Sequence, residues 1–287
     1  MDYSACRLCP RQCGVNRAAG ELGFCGQPGR AQVAKVMLHH WEEPVLAGAG
    51  GSGAIFFAGC TLGCLYCQNR EISHGGTGVS MDSGALRRAM EDLIAQGAEN
   101  IDLVTPSHFL PDLIPALRDP LPVPVVYNCG GYERAETIRA LRGLVDVYLP
   151  DMKYADGALA RRLSGAGDYF PAAARAIREM VDQVGPVRME NGRLRRGVLI
   201  RHLILPGQIE NSLRVLDWIG ETFRNGEVLV SLMRQYTPCG PAKKLPPLDR
   251  QITEEEYQAV LSWMYLNDLD GFTQEAASAD SSYIPDF

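Results

Sequence analysis

Nine cysteines stand in this 287-residue chain, and seven of them (Cys6, Cys9, Cys13, Cys25, Cys60, Cys64 and Cys67) crowd its N-terminal quarter. Cysteines that only filled a core would be scattered. In a reducing compartment clustered thiols act as metal ligands or reactive groups before they act as disulfides, and an odd total grouped as four and three disfavours a paired framework. Cys60, Cys64 and Cys67 have the spacing C-x3-C-x2-C within GCTLGCLYCQN, directly after an apolar run. Three thiolates can hold a cubane [4Fe–4S] cluster while leaving one iron without a protein ligand, open to an external chelator. Gly59 and Gly63 let the loop bend tightly, and Leu65 and Tyr66 are placed to shield a cluster from water. A structural zinc would want a fourth ligand, and only His74 follows nearby.

Cys6, Cys9, Cys13 and Cys25 form a complete tetrathiolate set, C-x2-C-x3-C-x11-C. Tetrahedral zinc or a second [4Fe–4S] cluster fits it, and either would staple a segment too small for its own core. A cluster would also be able to relay electrons. The run C-x2-C-x3-C leans toward iron–sulfur, because a zinc ribbon more often has two C-x2-C halves.

These residues need a scaffold, and the composition allows one. Hydrophobic residues at 46% and charged residues at 22% describe a globular chain with a core. A net charge of −6 argues against a nucleic-acid partner. No run approaches the ~20 apolar residues of a membrane span, and the opening residues lack a signal-peptide apolar region, so no membrane partner and a cytoplasmic location are expected. Six apolar runs at 54–59, 100–105, 123–128, 145–150, 198–205 and 227–233 alternate with helical stretches. The clearest helix is 82–97, with Leu86, Ala89, Met90, Leu93 and Ile94 on one face and Gly97 as its stop. Strands alternating with helices at roughly 30 residues per unit predict an α/β fold with a parallel sheet. Six units fit an incomplete barrel better than a closed one, which takes ~250 residues, although an open doubly wound sheet would give the same alternation. AQVAKVML reads as a further short strand, and Thr253 with Glu256 forms a capping box opening a late helix. The expected organisation is a Cys-rich metal-binding segment at 1–45, a barrel at 46–240 and a C-terminal helical extension at 241–287.

The three-cysteine loop, with an aromatic before its last cysteine, resembles the radical S-adenosylmethionine (SAM) superfamily. Tyr66-Cys67-Gln68-Asn69 is similar to the signature ending of pyruvate formate-lyase activating enzymes. HHWEEPVLAG, GSGAIFFAGC, LVTPSHFLP, YNCGGYE, PDMKY, RHLILPG and LMRQYTP resemble successive motifs of the PflX-type branch of that group. The resemblance runs from Cys6 to about Phe272. It implies a partial (β/α)6 barrel with the cluster at its C-terminal mouth and SAM chelating the open iron through its methionyl amine and carboxylate. Reductive cleavage would then give a 5′-deoxyadenosyl radical that abstracts hydrogen from an unidentified protein or small-molecule substrate. It further implies an electron donor such as flavodoxin or ferredoxin, and activation of a glycyl-radical enzyme is one option. The class that stands apart is a non-catalytic iron–sulfur or zinc metalloprotein, an electron carrier or binding module, which would not need six βα units.

Polar residues at strand ends are the candidates for holding SAM: Asn128 and Cys129, Asp151 and Lys153, Arg201 and His202, and Gln235, with Tyr66 on the loop. Asp151-Met152-Lys153 matches the D-x-K element that in the activating enzymes contacts the cofactor region; a plain ion pair at a strand end is the alternative. His108, in TPSH, reads equally as a donor or proton carrier and as a plain polar residue. Arg201 and His202 must point to opposite faces of their strand, so at most one faces the interior. Cys129 reads as a small buried hydrophobe sooner than as a reactive thiol, and Cys239 as structural. Two departures from the activating enzymes stand out: TPSH replaces their Gly-Gly-Glu element, and Asn128-Cys129 replaces their Asp-Thr.

Overall fold

The structure, a computed structural model, describes residues 1–76 and 78–274. In chain order the elements are β1 (Ala31–His39), β2 (Ser52–Phe57), α1 (Arg70–Ser73), β3 (Val79–Met81), α2 (Ser83–Ala95), β4 (Ile101–Val104), α3 (Leu110–Ala116), β5 (Val125–Cys129), α4 (Ala135–Arg139), β6 (Val147–Pro150), α5 (Gly157–Ser164), α6 (Tyr169–Val184), β7 (Arg188–Glu190), β8 (Arg193–Leu203), α7 (Ile209–Thr222), β9 (Leu229–Met233), α8 (Glu254–Leu266) and β10 (Gly271–Thr273). The six expected strands are β2, β4, β5, β6, β8 and β9. They are parallel neighbours in that order.

Strand alternation assigns the two faces of the sheet. Tyr127, Tyr148, Val198 and Ile200 point outward into the large core built with the helices, whereas Val126, Val147, Leu149 and Leu199 point inward and pack with Val45 and Leu46. Helices cover one face and a small apolar floor fills the other, which is the arrangement of a partial (β/α)6 barrel and not of a doubly wound sheet. Val45 and Leu46 come from the β1–β2 connection and plug the barrel from within. The sheet is extended on both sides. β1 pairs antiparallel with β2, β3 pairs with β1, and β10 adds a parallel strand beside β9. The first and last segments of the chain are therefore continuous with the barrel sheet through β1 and β10. Residues 275–287 of the expected C-terminal extension lie outside the described residues.

Local signals explain the best-defined helices. Asp82 caps α2 by accepting from the Ala85 amide, Leu86, Met90 and Leu93 are buried, and Gly97 leaves the helix at φ 103°. The Thr253–Glu256 capping box of α8 is present with both reciprocal bonds. No helix among the described residues is long and apolar enough to cross a membrane.

Candidate active site at the barrel mouth

The C-terminal ends of the parallel strands open on a cavity of about 1170 Å³. A single small-molecule site occupies ~300–1,000 Å³, so this one has room for a cofactor and a further ligand. Its inner wall is polar because inward positions of successive strands carry Asn128 (β5), Arg201 (β8) and Ser231 (β9), with Asp151 just past β6, while Asp102 (β4) lies fully buried behind Asn128. Glu42 and Glu43 reach in from the β1–β2 connection. Arg201 is the hub. Its Nε donates to Asp151 Oδ1 (2.9 Å), its Nη2 donates to Asn128 Oδ1 (2.7 Å), and its Nη1 lies 3.6 Å from Glu42 Oε1. Asn128 Nδ2 in turn donates to Asp102 Oδ2 (3.2 Å), Lys153 Nζ donates to Asp151 Oδ2 (2.5 Å) and Ser231 Oγ donates to Glu43 Oε1 (2.9 Å).

Four carboxyl groups, Glu42, Glu43, Asp102 and Asp151, meet two cations, Arg201 and Lys153, here, and their surroundings shift Glu43, Asp102 and Asp151 in different directions. Burial pushes Glu43 up to about 7, more than Arg201 can offset. Burial and the adjoining Glu42 carboxylate hold Asp102 well above the ordinary carboxylate range. Burial would raise Asp151 too, but Arg201 and Lys153 outweigh it and keep its pKa below the usual value. Asp151 is thus the carboxylate that Arg201 and Lys153 both hold.

The three-cysteine loop follows β2 on the rim of this cavity, and Cys60, Cys64 and Cys67 all line it. Gly59 (φ 78°) and Gly63 (φ 69°) occupy the left-handed region that the bend requires. Each sulfur receives a hydrogen bond: Leu62 N to Cys60 Sγ (3.4 Å), Ser164 Oγ to Cys64 Sγ (3.0 Å) and Ser73 Oγ to Cys67 Sγ (3.2 Å). The hydroxyls of Tyr66, Tyr154 and Ser164 form a buried chain to Cys64, with 2.7 Å between neighbours. Burial pushes the Cys64 thiol up to about 12, the charges of Cys60 and Cys67 add to that, and Lys153 opposes it. A thiolate here needs a strong positive partner such as a metal. Among the described residues no three His, Cys, Asp or Glu side chains converge tightly enough to hold one metal ion. Three mutually interacting thiols spread around a concave loop suit a polynuclear cluster, whose thiolates bind different irons, better than a single ion.

The N-terminal cysteines are free thiols that feel one another's charge: Cys9 senses Cys13 and Cys25, and Cys25 senses Cys6 and Cys13. Backbone bonds fold this segment tightly, with Gly14 N donating to Cys6 O and Cys6 N to Val15 O, both at 2.9 Å. Phe24 N donates to Cys13 Sγ (3.3 Å). Arg17 is only 1% exposed and donates to the carbonyls of Gln27, His108 and Pro28 and to Cys6 Sγ (3.6 Å). No carboxylate among the described residues lies within ion-pair distance of it. A buried, uncompensated guanidinium is costly unless an anion sits beside it, and a tetrathiolate metal centre is such an anion.

The structure brings together Tyr66, Asn128, Cys129, Asp151, Lys153, Arg201 and Gln235 around the cavity. It removes two others. His202 points outward, fully buried, with Nδ1 against Met152 O and Nε2 against Ser212 Oγ of α7; burial lowers its pKa to about 4. His108 is 1% exposed and lies outside the cavity lining, its Nε2 bonded to Ala58 O (2.7 Å), with burial lowering its pKa to about 3. Both are neutral packing histidines, because strand alternation and helix docking turn them into the outer layer. Cys239 touches the loop, its Sγ donating to Cys67 O (3.3 Å). Glu42, Glu43, Asp102, Ser73 and Ser164 escaped the sequence reading. A detectable signal existed for Asp102, an acid inside the otherwise apolar run NIDLVT.

Comparison with known proteins agrees with this geometry. Residues 46–110, which contain the three-cysteine loop, match the family described as a 4Fe-4S single cluster domain. The fold resembles SuiB of Streptococcus suis, solved bound to S-adenosylmethionine (TM-score 0.52, 10% identity, 76% of this chain and 48% of that one). It also resembles a radical SAM methyltransferase from Sphaerobacter thermophilus (TM-score 0.52, 13% identity, 78% of this chain and 66% of that one). The chain spans about half the length of SuiB. The fold is thus shared with structures solved as an S-adenosylmethionine complex and as a radical SAM methyltransferase. The chain belongs to the family of the uncharacterized protein MJ0674 of Methanocaldococcus jannaschii, with 30% identity over 279 residues, covering 93% of this chain and 76% of that protein.

Proposed function

We propose that this protein is a radical SAM enzyme of the pyruvate formate-lyase activating type, PflX-like branch, that takes hydrogen from a substrate held beside the cofactor. The observation that carries the reading is a set of three hydrogen-bonded thiols carried on one loop at the rim of a cavity large enough for two ligands. Cys60, Cys64 and Cys67 would hold a [4Fe–4S] cluster, and SAM would bind against its open iron. When bound, these groups supply a 5′-deoxyadenosyl radical on one-electron reduction.

The protein's own residues position and insulate that chemistry. Lys153, next to Cys64 and anchored by Asp151, is suited to the SAM carboxylate. Asn128 and Arg201 order the wall behind it. Tyr66, buried against Tyr154 and Tyr236, closes one side against water. The wall formed by Glu42 and Glu43 faces the rest of the cavity, where the substrate would sit. A peptide or protein substrate fits an open mouth, and SuiB has been solved with a precursor peptide bound. We further assign segments 1–45, 46–240 and 241–287 to metal binding, the catalytic barrel and a C-terminal helical extension, and Cys6, Cys9, Cys13 and Cys25 to a second [4Fe–4S] cluster. A low-potential carrier such as flavodoxin or ferredoxin would supply electrons.

The test is anaerobic reconstitution followed by photoreduction with SAM present. Wild type releases 5′-deoxyadenosine, and Cys64→Ala, with about four irons fewer per chain, releases none. A reduced, SAM-binding wild type that yields no 5′-deoxyadenosine would overturn the assignment.

A further inference from the structure

We propose that the N-terminal four-cysteine segment is the electron-entry site of the protein, in contact with the catalytic loop through Phe24, Cys25 and Arg17. The inference rests on the iron–sulfur reading of both cysteine sets. What carries it is that residues adjacent in sequence to the ligands of one set touch residues adjacent to the ligands of the other.

Gly59, immediately before Cys60, packs against the Cys25 backbone so closely that a Cβ there would stand 2.7 Å from the Cys25 carbonyl oxygen. Gly63, immediately before Cys64, faces the Phe24 ring, with a Cβ position 3.4 Å from Phe24 Cζ. Both glycines have positive φ, and any side chain at Gly59 would collide with the Cys25 backbone. A third connection runs through hydrogen bonds. Arg17 Nη1 joins Cys6 Sγ to the His108 carbonyl (2.6 Å), and the His108 ring joins the carbonyl of Ala58, just ahead of Gly59 and Cys60. Arg11 fastens the two segments, its guanidinium 3.8 Å from the Phe24 ring centroid and bonded to Thr61 O (3.0 Å) and Leu62 O (3.2 Å). The β1–β2 pairing brings the end of this segment beside the start of the catalytic loop, and Asp112 and Arg134 hold the segment from the helix side.

The outer side of the segment is open. Cys13 is exposed, and Leu22 and Phe24 beside it are 59% and 50% exposed. Electrons therefore arrive at the Cys13 edge and leave through Cys25 and Phe24. Each transfer oxidises a low-potential carrier protein by one electron and reduces the site on Cys60, Cys64 and Cys67 by one electron. No covalent bond forms or breaks. Arg17, a buried cation with no carboxylate beside it, favours the reduced, more negative form of the N-terminal centre and so helps it accept the electron.

The experiment follows reduction of the two centres by freeze-quench EPR, using reduced ferredoxin as one reductant and photoreduced deazaflavin as the other. In wild type the N-terminal signal rises first and the loop signal follows. In Cys13→Ser, ferredoxin-driven reduction of the loop centre is lost while direct photoreduction still produces its signal. Phe24→Ala retains every cysteine and covers the case in which Cys13→Ser does not fold; it slows the second phase and leaves the first unchanged. An unaltered second phase in Phe24→Ala, an unaltered loop reduction in Cys13→Ser, or zinc in place of iron at the N-terminal site would overturn the proposal. Two centres that reduce in sequence without releasing 5′-deoxyadenosine would leave the relay standing and remove the SAM reading instead.

Discussion

Asp151 shows how single residues set the chemistry of the mouth. It partners both Arg201 and Lys153, so Asp151→Asn leaves Lys153 without an ion-pair partner among the described residues and Arg201 with Glu42. Unpairing a buried ion pair costs about 3–5 kcal/mol, and the lower end is expected here because Glu42 remains beside Arg201. Chemical unfolding of the variant beside wild type measures it. Glu43 gives a pH signature of defined sign. Its folded pKa is raised by burial to about 7, above the 4.5 of a free glutamate, so its contribution to stability is fully present below pH 4.5 and is lost as pH rises toward 7. Glu43→Gln removes this dependence. The stability of the variant relative to wild type should therefore grow by about 3 kcal/mol between pH 4.5 and 7.5, read from unfolding midpoints across that range. The sequence showed Asp151, Lys153 and Arg201 as strand-end candidates because they sit at predictable positions. It could not show that Glu42 and Asp102 join them, since these side chains are distant along the chain and meet only through strand register.

Elements differ in legibility according to how much of their stability is local. Helix α2 carries its own cap, its own apolar stripe and its own stop, so it is readable from the stretch 82–97 alone. Its interactions are separable by mutation: Leu93→Ala, 1% exposed, is expected to cost about 3 kcal/mol and Asp82→Ala about 1 kcal/mol in urea unfolding. Helix α5 is not legible in the same way. Its stretch GALARRLS carries two arginines and a glycine, and Leu159, Ala160 and Leu163 become a buried face only where α5 meets the rest of the core. Strand β7 is exposed throughout and shows no alternation, because its only partner is the β8 hairpin arm. Strand β10 is very short, and Gly271 at its start lets it approach the Val230 backbone, a contact no local pattern announces.

At the level of the whole molecule, the barrel and the N-terminal segment should respond differently to metal loss. The barrel has a continuous apolar core and an inner floor of its own, whereas the segment preceding β1 buries few large apolar side chains and depends on its four cysteines. Oxidative chelation of the iron is expected to make that segment cleavable by trypsin at Arg7 and Arg11 while the barrel fragment survives, read by mass spectrometry of the digest. Reconstitution with iron and sulfide should restore protection.

The sequence alone determined the parts whose signals are short-range. Cysteine spacing, glycine punctuation and apolar periodicity all lie within a few residues of one another, and they sufficed for the six-strand α/β alternation and for singling out the two cysteine groups and the strand-end candidates. Only the tertiary structure decided which of two adjacent residues faces the cavity, turning Arg201 inward and His202 and His108 into the packing layer. It also decided that the cysteine group ending at Cys25 and the group beginning at Cys60 share an interface. Register, closure and docking are fixed by burial summed over the whole sheet, a quantity no local window of sequence contains.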